Sequence, residues 1–360
     1  MSFEHVDETR MQLADALRLP AAHGTPVGSG ALRTTPEDFI VREWLGFEAD
    51  GEGDHWLLTV RKRGANTHWV AKQLGKLANI PPRDVGYAGL KDRNALTEQA
   101  FTVPVRSPVA NWLGITGDGF EVVRAERHRR KLKRGALKGN DFEITIRDFS
   151  GERAAVTERL AVIAAQGVPN YFGPQRFGHE RSNLARAYAM FSGVRIEDRF
   201  ERGFALSAAR AHVFNAVLAQ RVASSTWNRL IAGDVANLDG SQSIFVPAAL
   251  DEVLIERCAR LDIHPTGPLW GRGELPSTGE ARELEGKVAA THAALCDGLA
   301  RSGLDQERRP LRLRVQALSH EWREADLVLR FRLGRGAFAT TVLHELLLDA
   351  FAVATPESDE

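Results

Sequence analysis

Apolar positions alternate with polar ones near both ends of this 360-residue chain, and recur at helical spacing through its middle. Residues 39–45 (Phe39 to Leu45) and 55–61 (His55 to Arg61) have the composition of strands. The polar, glycine-bearing turn Asp50-Gly51-Glu52-Gly53-Asp54 between them predicts a hairpin with a long loop. Val70, Leu74 and Leu77, spaced i, i+4, i+7 behind a cap at Asn66 or Thr67, predict a helix that Pro81-Pro82 stops. A strand is expected from Val85 to Leu90, and Phe142, Ile144 and Ile146 alternate within 139–147 as a half-buried strand does. Val156, Leu160 and Ile163 share a face of a helix from about Arg153 to Gln166, with Gly167 as its C-cap. Residues 182–310 read as largely helical, most clearly from Ser207 to about Ser225, whereas 264–273 reads as a loop or strand turn. Alternation returns at Leu311, Leu313 and Val315 and again over 326–333, before a glycine turn at 334–336 and a helix starting near Thr340. Strands at both ends around a helical middle predict an α+β sheet domain built from both termini and interrupted by an insertion.

Composition adds little to that picture. The apolar and charged fractions are those of an ordinary globular protein, and 47 basic side chains balance 47 acidic ones. A polyanionic partner must therefore meet a local patch. Two cysteines, Cys258 and Cys296, have no metal-ligand spacing and cannot build a disulfide framework. The charged start, Met1 to Glu8, is unlike a signal peptide, and no run has the roughly 18 apolar residues of a membrane helix. The expectation is a cytoplasmic protein with no membrane association and a frayed acidic end at 356–360.

Three stretches carry candidate chemistry. Residues 124–138 hold Arg124, Arg127, Arg129, Arg130, Lys131, Lys133, Arg134 and Lys138 with His128, opposed along the chain by Glu126 alone. Such a run is either a solvated face or a stripe facing phosphates. Residues 168–178 gather Tyr171, Phe172 and Phe177 with Arg176, which suits either a base-stacking loop or a small core beneath a turn. The third is Val85-Gly86-Tyr87-Ala88-Gly89-Leu90-Lys91-Asp92-Arg93, where one acid sits between two cations. Nearby cations favour the ionised carboxylate, which suits a nucleophile, although a turn with surface salt bridges has the same pattern. No zinc cluster, phosphate-cradling glycine loop, dinucleotide fingerprint or Ser-His-Asp elbow occurs. If the chain is an enzyme, its chemistry falls to a carboxylate acting on a polyanionic ligand.

Gly86-Tyr87-Ala88-Gly89-Leu90-Lys91-Asp92-Arg93 closely resembles the signature of the TruD family of tRNA pseudouridine synthases. In the expected order the chain also has Pro36-Glu37-Asp38-Phe39, Gly51-Glu52-Gly53, 137–142 (Leu137 to Phe142), 170–178 (Asn170 to Gly178), Gly267-Pro268-Leu269-Trp270-Gly271 and Phe338-Ala339-Thr340. The resemblance implies a catalytic domain with a mixed, mainly antiparallel sheet over 1–165 and 314–355, and an inserted α/β TRUD-type domain over 166–313. It implies an isomerase with Asp92 as nucleophile, and Phe39, Asn140 and Phe338 as contacts to the target uridine. Phe142 and Arg33 match further active-site positions. The partner implied is tRNA, at position 13 and chiefly in the glutamate acceptor, with no cofactor and no metal required. The eight cations of 124–138 and Arg176 would then hold its phosphates. Where the family pattern has lysine this chain has Arg33, which keeps the charge and replaces a point with a planar fork. Where it has histidine, this chain has Asn94. Neighbours on a strand point to opposite faces, so the cation serving Asp92 is expected to be the distant Arg33 and neither Lys91 nor Arg93. A non-catalytic RNA-binding protein using the same stripe and aromatics is the alternative.

Overall fold

The computed structural model describes residues 19–348 and 350; the charged start and the acidic end lie outside them. The chain forms two compact units. Among the described residues, one comprises Gly30–Ser150 and Gln316–Ala337; the other comprises 19–29, Gly151–Val315, 338–348 and residue 350.

The first unit is a ten-stranded, mixed and mostly antiparallel sheet. Its early strands are β1 (Gly28–Leu32), β2 (Phe39–Trp44), β3 (His55–Lys62), β4 (Gly86–Tyr87), β5 (Leu96–Pro104), β6 (Thr116–Gly117), β7 (Phe120–His128) and β8 (Gly139–Gly151). Helix α1 (Thr67–Ala78) follows β3, and the Asn66 side chain accepts the Trp69 N–H at 2.8 Å to cap it. Val70 and Leu74 are buried against Leu58, Val60, Phe101 and Val103. Leu77 is 40% exposed, and Ala71 and Ala78 complete the inner face in its place.

The expected hairpin between β2 and β3 does not form. Strand β5 lies between them, parallel to β2 (Ile40↔Leu96) and antiparallel to β3 (Leu58↔Phe101). With Ala100, Phe101, Thr102 and Val103 all buried, β5 is covered on both faces, so its sequence lacks the alternation of a half-exposed strand. The strand expected over 85–90 shortens to β4. A Cβ on Gly86 would lie 2.3 Å from Thr102 Oγ1, so only glycine allows β4 this close to β5. Beyond Tyr87 the backbone leaves the ladder, and the Ala88 carbonyl accepts from Gly135 N at 2.7 Å.

The second unit is helical around smaller sheets. It contains α2 (Arg153–Gln166), β9 (Val168–Pro169), α3 (Ser182–Phe191) and the 25-residue α4 (Arg199–Ala223). Helix α4 begins at the Asp198 cap, well before Ser207, because its first turns expose Phe200 and Phe204 and so lack a buried face. After it come β10 (Ala236–Leu238), β11 (Ile244–Phe245), α5 (Glu252–Ala259), β12 (Ile263–Leu269), α6 (Gly279–Thr291), α7 (Ala293–Arg301), β13 (Glu307–Pro310) and β14 (Arg312–Leu313). The stretch expected as a loop at 264–273 begins as a buried strand, β12, paired to β10 and β13. Gly267 lies where a Cβ would come within 2.8 Å of Leu311 and 3.2 Å of Phe214, so the glycine serves helix–sheet packing. Tyr171, Phe172 and Phe177 are buried with Leu184, Phe214 and Leu218. The three aromatics of 168–178 therefore fill a core and do not form an exposed platform.

The chain then returns to the ten-stranded sheet as β15 (Gln316–Arg323) and β16 (Asp326–Gly334), where β16 pairs with β8 in the register Phe331↔Phe142. Helix α8 (Ala339–His344) follows in the other unit.

Candidate active site

Residues 88–95, between β4 and β5, form a loop that carries Asp92. Its carboxylate Oδ2 lies 3.1 Å from the Arg33 guanidinium Nη1, with the two side chains 26% and 15% exposed. Oδ1 accepts the Asn94 N–H at 3.0 Å, a local turn bond that needs no ring at position 94. Arg33 departs from ordinary backbone at φ +56°, a strained value for a residue other than glycine. Its guanidinium carbon lies 4.2 Å above the Phe39 ring, so Arg33 links the acid to an aromatic wall. Burial lowers the Arg33 pKa, and the Asp92 charge opposes that.

The cations next to Asp92 are engaged elsewhere. Lys91 Nζ meets Glu43 Oε1 at 2.5 Å in a nearly dry pair, and Arg93 Nε donates to the Gly64 carbonyl at 3.0 Å. Arg33 is the expected partner, but the premise of a strand at Asp92 fails. The loop turns both neighbours away.

The wall beside the acid comes from adjacent strands. Phe39 opposes Ile144, Val41 opposes Phe142 and Glu43 opposes Asn140, so these side chains share one face of the sheet. Phe39 meets Phe142 edge-on at 6.2 Å, and Phe142 stacks on Phe331 at 5.4 Å. Asn140 is on the same face, and its Oδ1 is buried with no hydrogen-bond partner. An unfilled buried acceptor costs free energy unless a ligand supplies a donor. Phe338 and Arg176 belong to the other unit, where both rings of Phe172 and Phe338 lie near the Arg176 guanidinium and Arg176 Nη1 donates to Ser207 Oγ at 2.9 Å. Burial lowers the Arg176 pKa.

Sequence reasoning missed a buried polar set beneath the loop. Lys62 is 1% exposed, and its ammonium donates to the carbonyls of Ala65 at 2.9 Å, Asp92 at 3.2 Å and Lys91 at 3.5 Å. Burial pushes its pKa down to about 8, against the opposing pull of Asp92. Thr67 Oγ1 accepts the Lys91 N–H at 3.1 Å and donates to Gln99 Oε1 at 2.9 Å, while Gln99 Nε2 donates to the Gly89 carbonyl at 2.7 Å. Glu43 Oε2 accepts the Ala100 N–H at 2.9 Å. One signal was available: Lys62 is in phase with the buried Leu58 and Val60, a lysine in a core position of its strand.

The basic run is not a uniform stripe. Its first part is strand β7, where alternation splits it between faces, and acids from the β2–β3 loop lie alongside. Arg124 pairs with Glu126 at 2.6 Å, Arg129 with Glu52, and His128 with Asp50 at 2.8 Å. Arg127 donates to the Gly53 carbonyl, Lys131 to that of Arg83 at 2.8 Å, and Arg134 to Tyr87 Oη at 2.5 Å. Lys138 lies 5.8 Å from the Trp44 ring. Arg130 and Lys133 are exposed, with no carboxylate at ion-pair distance among the described residues. Among those residues no cluster of three His, Cys, Asp or Glu could hold a metal, and no helix is long and apolar enough to cross a membrane.

The fold is shared with a crystal structure of a Methanosarcina mazei protein that bears the name tRNA pseudouridine synthase D. The TM-score is 0.71 at 20% identity, covering 94% of this chain and 98% of that one. Sequence narrows the class to a family. The family model for tRNA pseudouridine synthase D (TruD) matches residues 21–187 and 196–346, and the chain belongs to that family. Relatives named tRNA pseudouridine synthase D include one from Xanthomonas euvesicatoria pv. vesicatoria, 47% identical over 93% of this chain and 95% of its own length. Another, from Nitrosococcus oceani, is 46% identical over 92% and 94%.

Proposed function

We propose that this chain is an isomerase that converts a uridine of tRNA to pseudouridine, with the Asp92 carboxylate as nucleophile. The observation that carries the reading is the Arg33–Asp92 pair beside Phe39, Phe142 and the unpartnered Asn140 amide oxygen. In the reaction the bond from N1 of uracil to the ribose breaks, the base turns, and C5 bonds to the same sugar carbon. C5 then gives up its proton and N1, which carried none in uridine, gains one. The bond that Asp92 forms to the substrate is broken again before release, so the product is an isomer and nothing is consumed. The base must first leave its stack, at a cost of roughly a few kcal/mol. Ring contact with Phe39 offsets that cost. The Asn140 oxygen supplies an acceptor for the N3–H of uracil. Arg33 orients the carboxylate through a charged hydrogen bond, and Phe142 supports Phe39 from behind.

On this reading residues 1–165 and 314–355 perform the chemistry, and the insertion over 166–313 contacts RNA away from it. The target is uridine 13, chiefly of the glutamate tRNA, and the setting is the cytoplasm. Arg130 and Lys133 are the cations of the basic run most open to phosphate. The test is to map pseudouridine in tRNA incubated with the purified protein. New pseudouridine at one position, lost with Asp92→Ala while tRNA binding persists, supports the reading. Binding without pseudouridine by the unaltered protein supports a non-catalytic RNA-binding role in its place.

A further inference from the structure

Lys62 is an expensive residue to keep. A lysine with 1% exposure loses most of its hydration, and no carboxylate at ion-pair distance compensates it among the described residues. A leucine or methionine in its place would continue the apolar face of Leu58 and Val60 without that cost. What the charge gains is three carbonyls, two of them from consecutive residues of the loop, Lys91 and Asp92. Its remaining bond runs to Ala65, just before α1, so the ammonium ties the loop to the rigid end of β3 and the start of the helix. The other loop anchors, Thr67 on Lys91 and Gln99 on Gly89, act upstream of the acid. Lys62 is the one charged group among these that binds the backbone of Asp92 itself.

We propose that Lys62 is a positioning residue that fixes the backbone of Asp92 so that its carboxylate meets both Arg33 and the reacting base. The inference rests on the reading of Asp92 as the reacting acid, and it adds a device that the resemblance did not supply. A carboxylate displaced by about 1 Å from its working geometry costs about 10²-fold in rate, which is the scale expected from releasing the loop. The charged groups facing the ammonium are Asp92 and Lys91 of the loop and Glu43 of β2. Since burial brings the Lys62 pKa down to about 8, the clamp also releases in mild alkali. Neutral Lys62 keeps fewer donors and no charge for the carbonyl dipoles, so turnover falls above that pH while the fold persists.

The experiment measures kcat, KM and tRNA affinity for the full chain between about pH 6 and pH 9.5, with circular dichroism at each pH. For wild type, kcat is expected to fall on the alkaline side with a midpoint near 8, with affinity and ellipticity unchanged. Lys62→Met should lower kcat about 10²-fold at neutral pH with KM within about twofold. Lys62→Arg, which does not titrate in this range, should recover part of kcat and lose the alkaline fall. A wild-type kcat that stays level to pH 9.5 overturns the proposal, and so does a Lys62→Met enzyme with wild-type kcat. A decline that tracks unfolding or lost tRNA binding overturns it too, because it assigns Lys62 to the fold alone. If Lys62→Met does not fold, the wild-type profile decides by the same criterion. Asp92→Ala inactive with Lys62→Met fully active sinks only this inference, whereas wild-type protein that makes no pseudouridine sinks the reading of the site with it.

Discussion

Replacing Arg33 with methionine removes the guanidinium while leaving an apolar stem against Phe39. Asp92 then loses a charged hydrogen bond of 3.1 Å, made between side chains 15% and 26% exposed, so solvent screens it only in part. Hydrogen bonds to charged groups contribute about 1.5–3 kcal/mol, and the guanidinium over the Phe39 ring at 4.2 Å adds roughly 0.5–1 kcal/mol. The Asp92 backbone stays held by Lys62, and its Oδ1 stays on the Asn94 amide, so the loss is confined to the carboxylate's orientation. A cost in the lower part of that range, about 2–3 kcal/mol, is therefore expected. At about 1.4 kcal/mol per factor of ten, kcat/KM should fall roughly 30- to 150-fold. Arg33→Lys keeps the charge and loses the planar fork, so a drop of roughly three- to tenfold is expected. The assay is pseudouridine formation in a transcribed tRNA under kcat/KM conditions, with filter binding to check tRNA affinity. A methionine variant within about threefold of wild type would show that Arg33 does not orient the acid.

Asp92→Asn should abolish turnover and leave tRNA affinity unchanged, as measured by filter binding; residual pseudouridine on long incubation would sink the nucleophile assignment. Asn140→Ala removes the acceptor proposed for uracil, so kcat/KM should fall about tenfold or more. Thermal melting should show no loss of stability, because the amide oxygen has no partner to lose. Arg130→Glu with Lys133→Glu should weaken tRNA binding and reduce the slope of log K against log salt by about two; an unchanged slope would place RNA elsewhere. His212 is held down to about 3 by burial, with His292 and Arg181 adding to the effect. A group so depressed contributes stability that is full above its unfolded value of 6.5 and lost as pH falls toward 3. Urea melts should show stability falling by about 1.4 kcal/mol per pH unit from this residue below pH 6.5, and His212→Leu should flatten that slope.

What was legible in the chain was what depends on local pattern. Helix α1 behind Asn66, α2 ending at Gly167 and the Phe142–Ile144–Ile146 strand follow from caps and period, and all three are present. Strand β5 was not legible, because burial on both faces removes the alternation that marks a strand. Order within the sheet was missed for the same reason, since a hairpin between β2 and β3 leaves no room for the strand that separates them. The charge of 124–138 was overstated because Glu52, which pairs with Arg129, is distant in sequence and adjacent in space. At the candidate site, ordered motifs singled out Asp92 and Arg33, and their pairing at 3.1 Å is present although the strand geometry that predicted it is not. Lys62 left a trace, a lysine in phase with two buried apolar residues, but only its three carbonyl partners give that trace a meaning.

The pairing of β16 with β8 also sets an order for making the protein. Arg332 meets Asp141 across a separation of 191 residues, so the edge of β8 that carries Phe142 and Ile144 has no neighbour until the last part of the chain leaves the ribosome. Closing so long a loop slows assembly, and an open strand edge invites pairing with other chains in the interval. The intervening residues 151–315 have their own core and can fold while that edge waits. A nascent chain that stops before Asp326 therefore has Asp92, Arg33 and Lys62 in hand but lacks the strand that completes the wall beside them.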